Sequence, residues 1–129
     1  MKRCTAALLG IFLTCSAWAQ IAYQGTTQVD IDALYKQATS EVDAATREEE
    51  GYMRITVPSK HTIYYFTTPK HPCHPAVVIQ RIFEKNGALW IEANGLTAGD
   101  RANFEQWLKV FERQHEQIKN RMRARNPGS

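Results

Sequence analysis

The dipeptide Asn86-Gly87 constrains the fold of this chain more than any other feature of its sequence. Asn and Gly adopt positive φ at little cost, so a two-residue turn of this kind joins two strands into a tight antiparallel hairpin. Strand-like segments flank the dipeptide on both sides, over residues 76–84 and 88–93. The sequence therefore predicts a β-hairpin here, and the chain must contain an antiparallel sheet.

The length of the turn decides which residues of this hairpin lie opposite one another. A two-residue type I′ turn gives three matched cross-strand pairs, Ile82 with Ile91, Phe83 with Trp90 and Arg81 with Glu92. In this register the aliphatic pair faces the core, while the aromatic pair and the ion pair share the other face. A three-residue loop with a bulge at Gly87 would shift the pairing by one residue and turn one strand over. We favour the first register because its three pairs agree with one another.

Two more strands are predicted before the hairpin. Residues 52–57 alternate between apolar and polar side chains and end at the turn sequence 58–60, and residues 61–67 form the next strand. The run 63–66 is apolar on both faces, so this strand should lie inside the sheet or against a partner. Residues 69–75 contain three prolines and are expected to form a loop.

Helical spacing occurs once before and once after these strands. Apolar residues at intervals of three or four follow Asp30, a suitable N-cap, and the first helix is predicted to continue to Gly51. The second helix is predicted to follow a loose capping box of Thr97 and Asp100. His115 lies in its apolar stripe and is expected at the edge of the core with a bonded nitrogen. The relative direction of the two helices stays open.

These elements place the chain in the α+β class. We expect an N-terminal helix, a four-stranded antiparallel meander-like sheet and a C-terminal helix, arranged in two layers. With 43% hydrophobic and 10% aromatic residues, the composition is that of an ordinary globular domain. We expect one small domain over residues 20–129, with a flexible lead at 20–28 and a flexible tail at 126–129.

Residues 1–19 have the pattern of a cleavable signal peptide. A basic start precedes an apolar stretch, and residues 17–19 form a small-x-small cleavage site. The expected location is the periplasm of a bacterial cell, with secretion as the second choice. Cleavage would remove Cys4 and Cys15 and leave Cys73 alone, so no internal disulfide is expected. No other segment is long and apolar enough for a membrane span, so the mature protein is expected not to span a membrane.

One face of the predicted sheet carries more aromatic residues than a solvated face needs. If both helices cover the other face, this excess is left exposed. Aromatic residues and arginine are the usual anchors of protein interfaces, so we expect this face to bind another protein or a second copy of the chain. The expected contact residues are Tyr64, Phe66, Arg81, Phe83, Trp90 and Glu92.

Imidazole and thiol groups, the ligands that Zn²⁺ and copper prefer, cluster in and near the proline-rich loop. The candidate metal ligands are His61, His71, Cys73 and His74. Prolines beside these residues direct neighbouring side chains apart, and no Cys-x-x-Cys or His-x-x-x-His spacing occurs. An alternative role for Cys73 is an intermolecular disulfide in a covalent homodimer. No cofactor is expected.

The sequence favours a non-enzymatic function. It contains no Gly-x-Ser-x-Gly elbow, no phosphate-binding glycine loop and no dinucleotide fingerprint. The net charge is only +3, and Lys2 and Arg3 of the predicted signal contribute to it, so nucleic-acid binding is not expected. We expect an exported protein-binding module, and the leading specific class is an inhibitor or immunity protein that neutralises an envelope-targeted toxin. The alternatives are a periplasmic Zn or Cu binding protein and a structural homodimeric envelope protein.

Overall fold

The structure of the protein is a computed structural model that describes the backbone of residues 21–125 and the side chains of residues 21–121. The predicted signal peptide at 1–19 and tail at 126–129 lie outside the described residues. A short 3₁₀ helix at Pro58–Lys60 joins two strands. The other elements are β1 (Ala22–Gly25), α1 (Gln28–Thr39), β2 (Ala45–Glu49), β3 (Tyr52–Val57), β4 (Thr62–Thr67), β5 (Ala76–Lys85), β6 (Ala88–Thr97) and α2 (Arg101–Arg125).

Over residues 21–125, the sheet has six strands rather than the predicted four. Its order is β1-β6-β5-β4-β3-β2, so strands β2 to β6 form a continuous antiparallel meander. Strand β1 pairs with β6 in parallel, with Ala22 opposite Asn94. The fold is α+β with a mixed sheet, because segments predicted as a flexible lead and as helix supply the two edge strands.

The two helices cover opposite faces of the sheet, which corrects the predicted two-layer arrangement to three layers. Helix α1 packs through Ile31 and Ala38 against a cluster that includes Val77. Helix α2 packs through Phe104, Leu108 and Phe111 against a cluster that includes Val78. Since Val77 and Val78 are neighbours in β5, their side chains point to opposite faces. We call these the α1 face and the α2 face.

Helix α1 is shorter than the predicted first helix. Its N-cap is Thr27 rather than Asp30, because the Asp30 backbone N–H donates to Thr27 Oγ1 over 3.1 Å. The helix ends at Thr39, and Val42, which the prediction placed in the apolar stripe, is fully exposed. Residues 45–49 form β2 instead.

The predicted hairpin is confirmed, together with its register. Asn86 and Gly87 have φ values of 55° and 78°, as a type I′ turn requires. Ile82 lies opposite Ile91, and the other two predicted pairs also occur. The alternative register with a bulge is therefore wrong. Strand β6 continues to Thr97, beyond the predicted end at Ala93.

Helix α2 begins after Asp100, whose carboxylate accepts a hydrogen bond from the Asn103 backbone N–H over 2.8 Å. Asp100 is thus the residue that caps the helix, and Thr97 belongs to β6. Gly95 of β6 lies directly under Phe104, so the helix approaches the sheet closely at this point. Within residues 21–125, neither helix combines the length and hydrophobicity that crossing a bilayer requires.

Candidate interaction surface

The outer half of the β5–β6 hairpin, residues 81–92, extends beyond its neighbouring strands. Strand β4 pairs with β5 only as far as Arg81, and β1 pairs with β6 only from Asn94 onward. Residues 88–93 of β6 therefore have a strand neighbour on one side only in the described part of the chain. We call this stretch the open edge.

On the α1 face of the outer hairpin, four of the predicted contact residues lie together. Arg81 and Glu92 form an ion pair of 3.1 Å, and Phe83 lies opposite Trp90. The Arg81 guanidinium is 5.8 Å from the centroid of the Phe83 ring, within cation–π range. Trp90 is 41% exposed. The sequence thus placed these four side chains on one surface correctly.

The α2 face of the outer hairpin borders a groove. Leu89 is 49% exposed here, and Ile82 and Ile91 are half-buried. The groove runs between β6 and α2 and is open to solvent. Its lining residues are Ala88, Leu89, Trp90, Ile91, His115, Glu116 and Lys119.

A chain of hydrogen bonds joins the sheet to α2 at the inner end of this groove. The Tyr65 hydroxyl donates to Gln80 Oε1 over 2.9 Å, and Gln80 Nε2 donates to His115 Nε2 over 2.8 Å. His115 is therefore neutral, with its proton on Nδ1. Burial lowers the pKa of His115 and raises the pKa of Tyr65. The expected bonded nitrogen of His115 is present, and it fixes α2 against the sheet.

Tyr64 and Phe66 do not belong to the surface, which corrects the predicted contact set. They are 9% and 3% exposed and lie under α1. The ring of Phe66 makes an edge contact with Tyr35 of that helix, with centroids 5.1 Å apart. The predicted aromatic excess came from assuming that both helices cover the same face.

The structure separates His61 from the other three candidate metal ligands. His61 follows the 3₁₀ helix before β4, whereas His71, Cys73 and His74 follow β4 at its other end. A strand of six residues lies between them. Among the described residues, no group of three or more His, Cys, Asp or Glu side chains is placed to hold a metal ion.

The loop between β4 and β5 binds its own polar groups internally. His71 Nδ1 accepts the Cys73 backbone N–H over 3.2 Å and lies 3.1 Å from Cys73 Sγ. His74 Nδ1 lies 2.8 Å from Thr67 Oγ1. A Cβ on Gly99 would lie 2.5 Å from the Cys73 carbonyl oxygen, so the loop between β6 and α2 packs tightly against this one. The histidine and cysteine side chains of the β4–β5 loop therefore stabilise the fold.

Cys73 is fully buried, which argues against the intermolecular disulfide considered from the sequence. Burial raises the pKa of its thiol to about 11. Burial and the neighbouring His74 lower the pKa of the nearby His71, which makes its imidazole a weaker base toward this thiol. Cys73 is therefore a packed thiol in the core beneath α2.

Sequence reasoning missed the groove and its main apolar residue, Leu89. The available signal was the alternation in β6, which puts Leu89 on the same face as Ile91. The groove itself depends on α2 passing over that face, and no local pattern shows where a distant helix will lie. No family model, curated protein or solved structure matches the chain.

Proposed function

We propose that this protein is a non-enzymatic binding module that recognises another protein through the outer hairpin, residues 81–92. The observation that carries the proposal is the exposure of two large apolar side chains that are adjacent in sequence, Leu89 at 49% and Trp90 at 41%. Because they are consecutive in a strand, they present apolar area on both faces of a projecting ribbon. Exposed apolar area of this kind is typical of a surface that binds another protein.

The residues around these two side chains have the composition of an interface. Aromatic residues and arginine dominate the energetics of protein interfaces, and Phe83, Trp90 and Arg81 lie within one patch. The Arg81–Glu92 ion pair lies at its border, with both side chains about half exposed. This arrangement of an apolar centre and a charged rim supports protein binding over small-molecule chemistry.

The opposite edge of the sheet is a weaker candidate. Strand β2 carries Arg47, Glu48 and Glu49, and the Arg47–Glu49 ion pair of 3.3 Å lies along it. Charged residues on an edge strand oppose pairing with other chains. The outer hairpin carries less charge on its open edge, so it is the surface that we propose for recognition.

We further propose that the protein acts after export, and that the partner is an envelope-targeted toxin which the protein inhibits. This specific class follows from the expected signal peptide and the small size of the domain. Cys73 does not have the properties of a catalytic nucleophile, because its thiol is buried and has a pKa of about 11.

The test compares two variants of the purified protein, each of which loses one exposed apolar side chain. In Trp90→Ser the loss falls on the outer hairpin, and in Val42→Ser it falls on the loop before β2, where Val42 is fully exposed. Proteins captured from an envelope extract are identified by mass spectrometry, purified and titrated by calorimetry. We expect Trp90→Ser to weaken binding of the true partner by at least about tenfold. Val42→Ser should bind normally.

Equal binding by Trp90→Ser and the parent protein would contradict the proposal. Self-association that Trp90→Ser abolishes, with no second protein retained, would replace it with a homodimer. Circular dichroism checks that both variants are folded.

A further inference from the structure

We infer that the partner contributes an extended peptide segment, which adds as a strand to the open edge at residues 88–93. This inference rests on the proposed function and specifies the form of the partner. It follows from the hydrogen-bonding groups of β6, from the groove beside that edge and from the charge of α2.

The backbone groups of the open edge alternate in direction. Residues that flank a two-residue hairpin turn form a hydrogen-bonded pair, and such pairs recur at every second position. Ala88 and Trp90 therefore direct their N–H and C=O groups to β5, while Leu89 and Ile91 direct theirs outward. An independent contact supports this assignment. Thr97 lies an even number of residues from Leu89 and Ile91, so its carbonyl should also point outward, and it accepts a hydrogen bond from the Thr26 backbone N–H over 2.9 Å.

Strand β1 uses this edge of β6 only from Asn94 onward. The outward N–H and C=O groups of Leu89 and Ile91 therefore have no partner strand in the described part of the chain. An exposed, apolar edge of this kind is a template for another strand, and natural proteins normally block it with charge, proline or a bulge. The only charged residue in the open edge is Glu92, which is paired with Arg81.

The groove supplies side-chain specificity for the added strand. Its two walls are Leu89 and Ile91 of β6 and the His115 turn of α2. An added strand would place every second side chain over this groove, so the partner segment should carry apolar residues at alternate positions. Addition of a strand to an exposed sheet edge is one of the recurring modes by which proteins bind extended peptides.

The charge of α2 sets the remaining feature of the segment. Lys119 of α2 lines the groove, with its Nζ 3.9 Å from a Glu116 carboxylate oxygen, and α2 continues from there toward the hairpin turn with three arginines and no acidic residue in its sequence. Glu84 and Glu116 offset part of this charge. We therefore expect an acidic residue in the segment near the hairpin turn, with apolar residues elsewhere over the groove.

The test uses the purified protein and peptides selected from a phage-displayed library of random 12-residue sequences. Amide hydrogen exchange is measured by NMR with and without the selected peptide. In the free protein, the Leu89 and Ile91 amides should exchange quickly, whereas the Trp90 amide, bonded to β5, should exchange slowly. Saturating peptide should slow exchange at Leu89 and Ile91 by at least about tenfold. Unchanged exchange at both amides would overturn the inference.

Two substitutions at one position separate the backbone from the side chain. Leu89→Pro removes an outward N–H that the hairpin itself does not use, while Leu89→Ala keeps that N–H and shortens the side chain. We expect Leu89→Pro to abolish peptide binding and Leu89→Ala to weaken it by less than about tenfold. Equal loss in both variants would overturn strand addition.

The outcome also distinguishes this inference from the proposed function. If Leu89→Pro binds the natural partner normally while Trp90→Ser does not, the hairpin is the recognition element and strand addition is wrong. If neither substitution affects the partner, both proposals fail. Slow exchange at Leu89 and Ile91 without any peptide would show that the edge is already occupied by this chain or a second copy, and would also overturn the inference.

Discussion

The Tyr65–Gln80–His115 chain offers the sharpest test of how α2 is held over the sheet. Gln80 is only 6% exposed and bonds both neighbours. The substitution Gln80→Leu keeps a side chain of similar volume and removes both hydrogen bonds. Two polar groups then lose their partner, at a cost of about 1–3 kcal/mol each when fully buried. Since Tyr65 and His115 are half-buried and can recruit water, we expect a total loss of about 2 kcal/mol.

Urea denaturation at pH 7, followed by circular dichroism, measures this loss. A change of about 2 kcal/mol corresponds to roughly 8 °C in the melting temperature of a domain of this size. Gln37→Leu on the exposed side of α1 is the matched control and should change the free energy of unfolding by less than about 0.5 kcal/mol. In a His115→Leu background, Gln80→Leu should cost about 1 kcal/mol less than it does in the parent. A loss below about 0.5 kcal/mol in the parent would refute the network as a stabilising feature.

Two further predictions concern the titrating groups. Burial lowers the pKa of His71 and His115, so these histidines take up protons at a higher pH in the unfolded chain than in the folded protein. The free energy of unfolding should therefore be highest above about pH 6.5 and decrease as the pH falls below that value. His115→Gln should flatten that decrease in urea titrations at pH 5 and 7.5, and an unchanged slope would contradict the assignment. Cys73, buried with a thiol pKa of about 11, should react with Ellman's reagent only under denaturing conditions, and rapid labelling of the native protein would show that it is accessible.

The hairpin could be predicted from the sequence because its register depends on local chemistry. Asn86 and Gly87 determine the turn type, and the turn type determines every pair along β5 and β6. Four predicted contact residues consequently share one surface. Local information was sufficient here because no distant part of the chain is needed to set the pairing.

The edge strands could not be predicted, because each depends on a distant partner. The segment 45–49 is rich in residues that tolerate a helix, yet it pairs with β3, and Glu49 lies 3.8 Å from Arg54 across that pairing. The sequence of strand β1 is mainly polar and gave no strand signal. The strand is held by a distant contact, because Tyr23 packs on Phe104 with ring centroids 5.3 Å apart. Tertiary contacts thus override local preference at both edges of the sheet.

The error at Tyr64 and Phe66 has a related cause. Both residues were correctly predicted to lie in a strand with apolar side chains on both faces. Whether such a face binds a partner or a helix of the same chain depends on which side α1 takes. The sequence pattern of a helix shows that it has an apolar stripe, but it does not show which face of a sheet the stripe will cover.

Hydrogen exchange of the natural complex is the decisive test of whether the outer hairpin contacts the partner. The free protein and the complex are exchanged in parallel, and protection is compared by mass spectrometry in peptides that cover residues 81–93, β2 and the loop 69–75. We expect binding to slow exchange most strongly within residues 88–93. Protection confined to β2 or to the loop, with residues 88–93 unchanged, would contradict it.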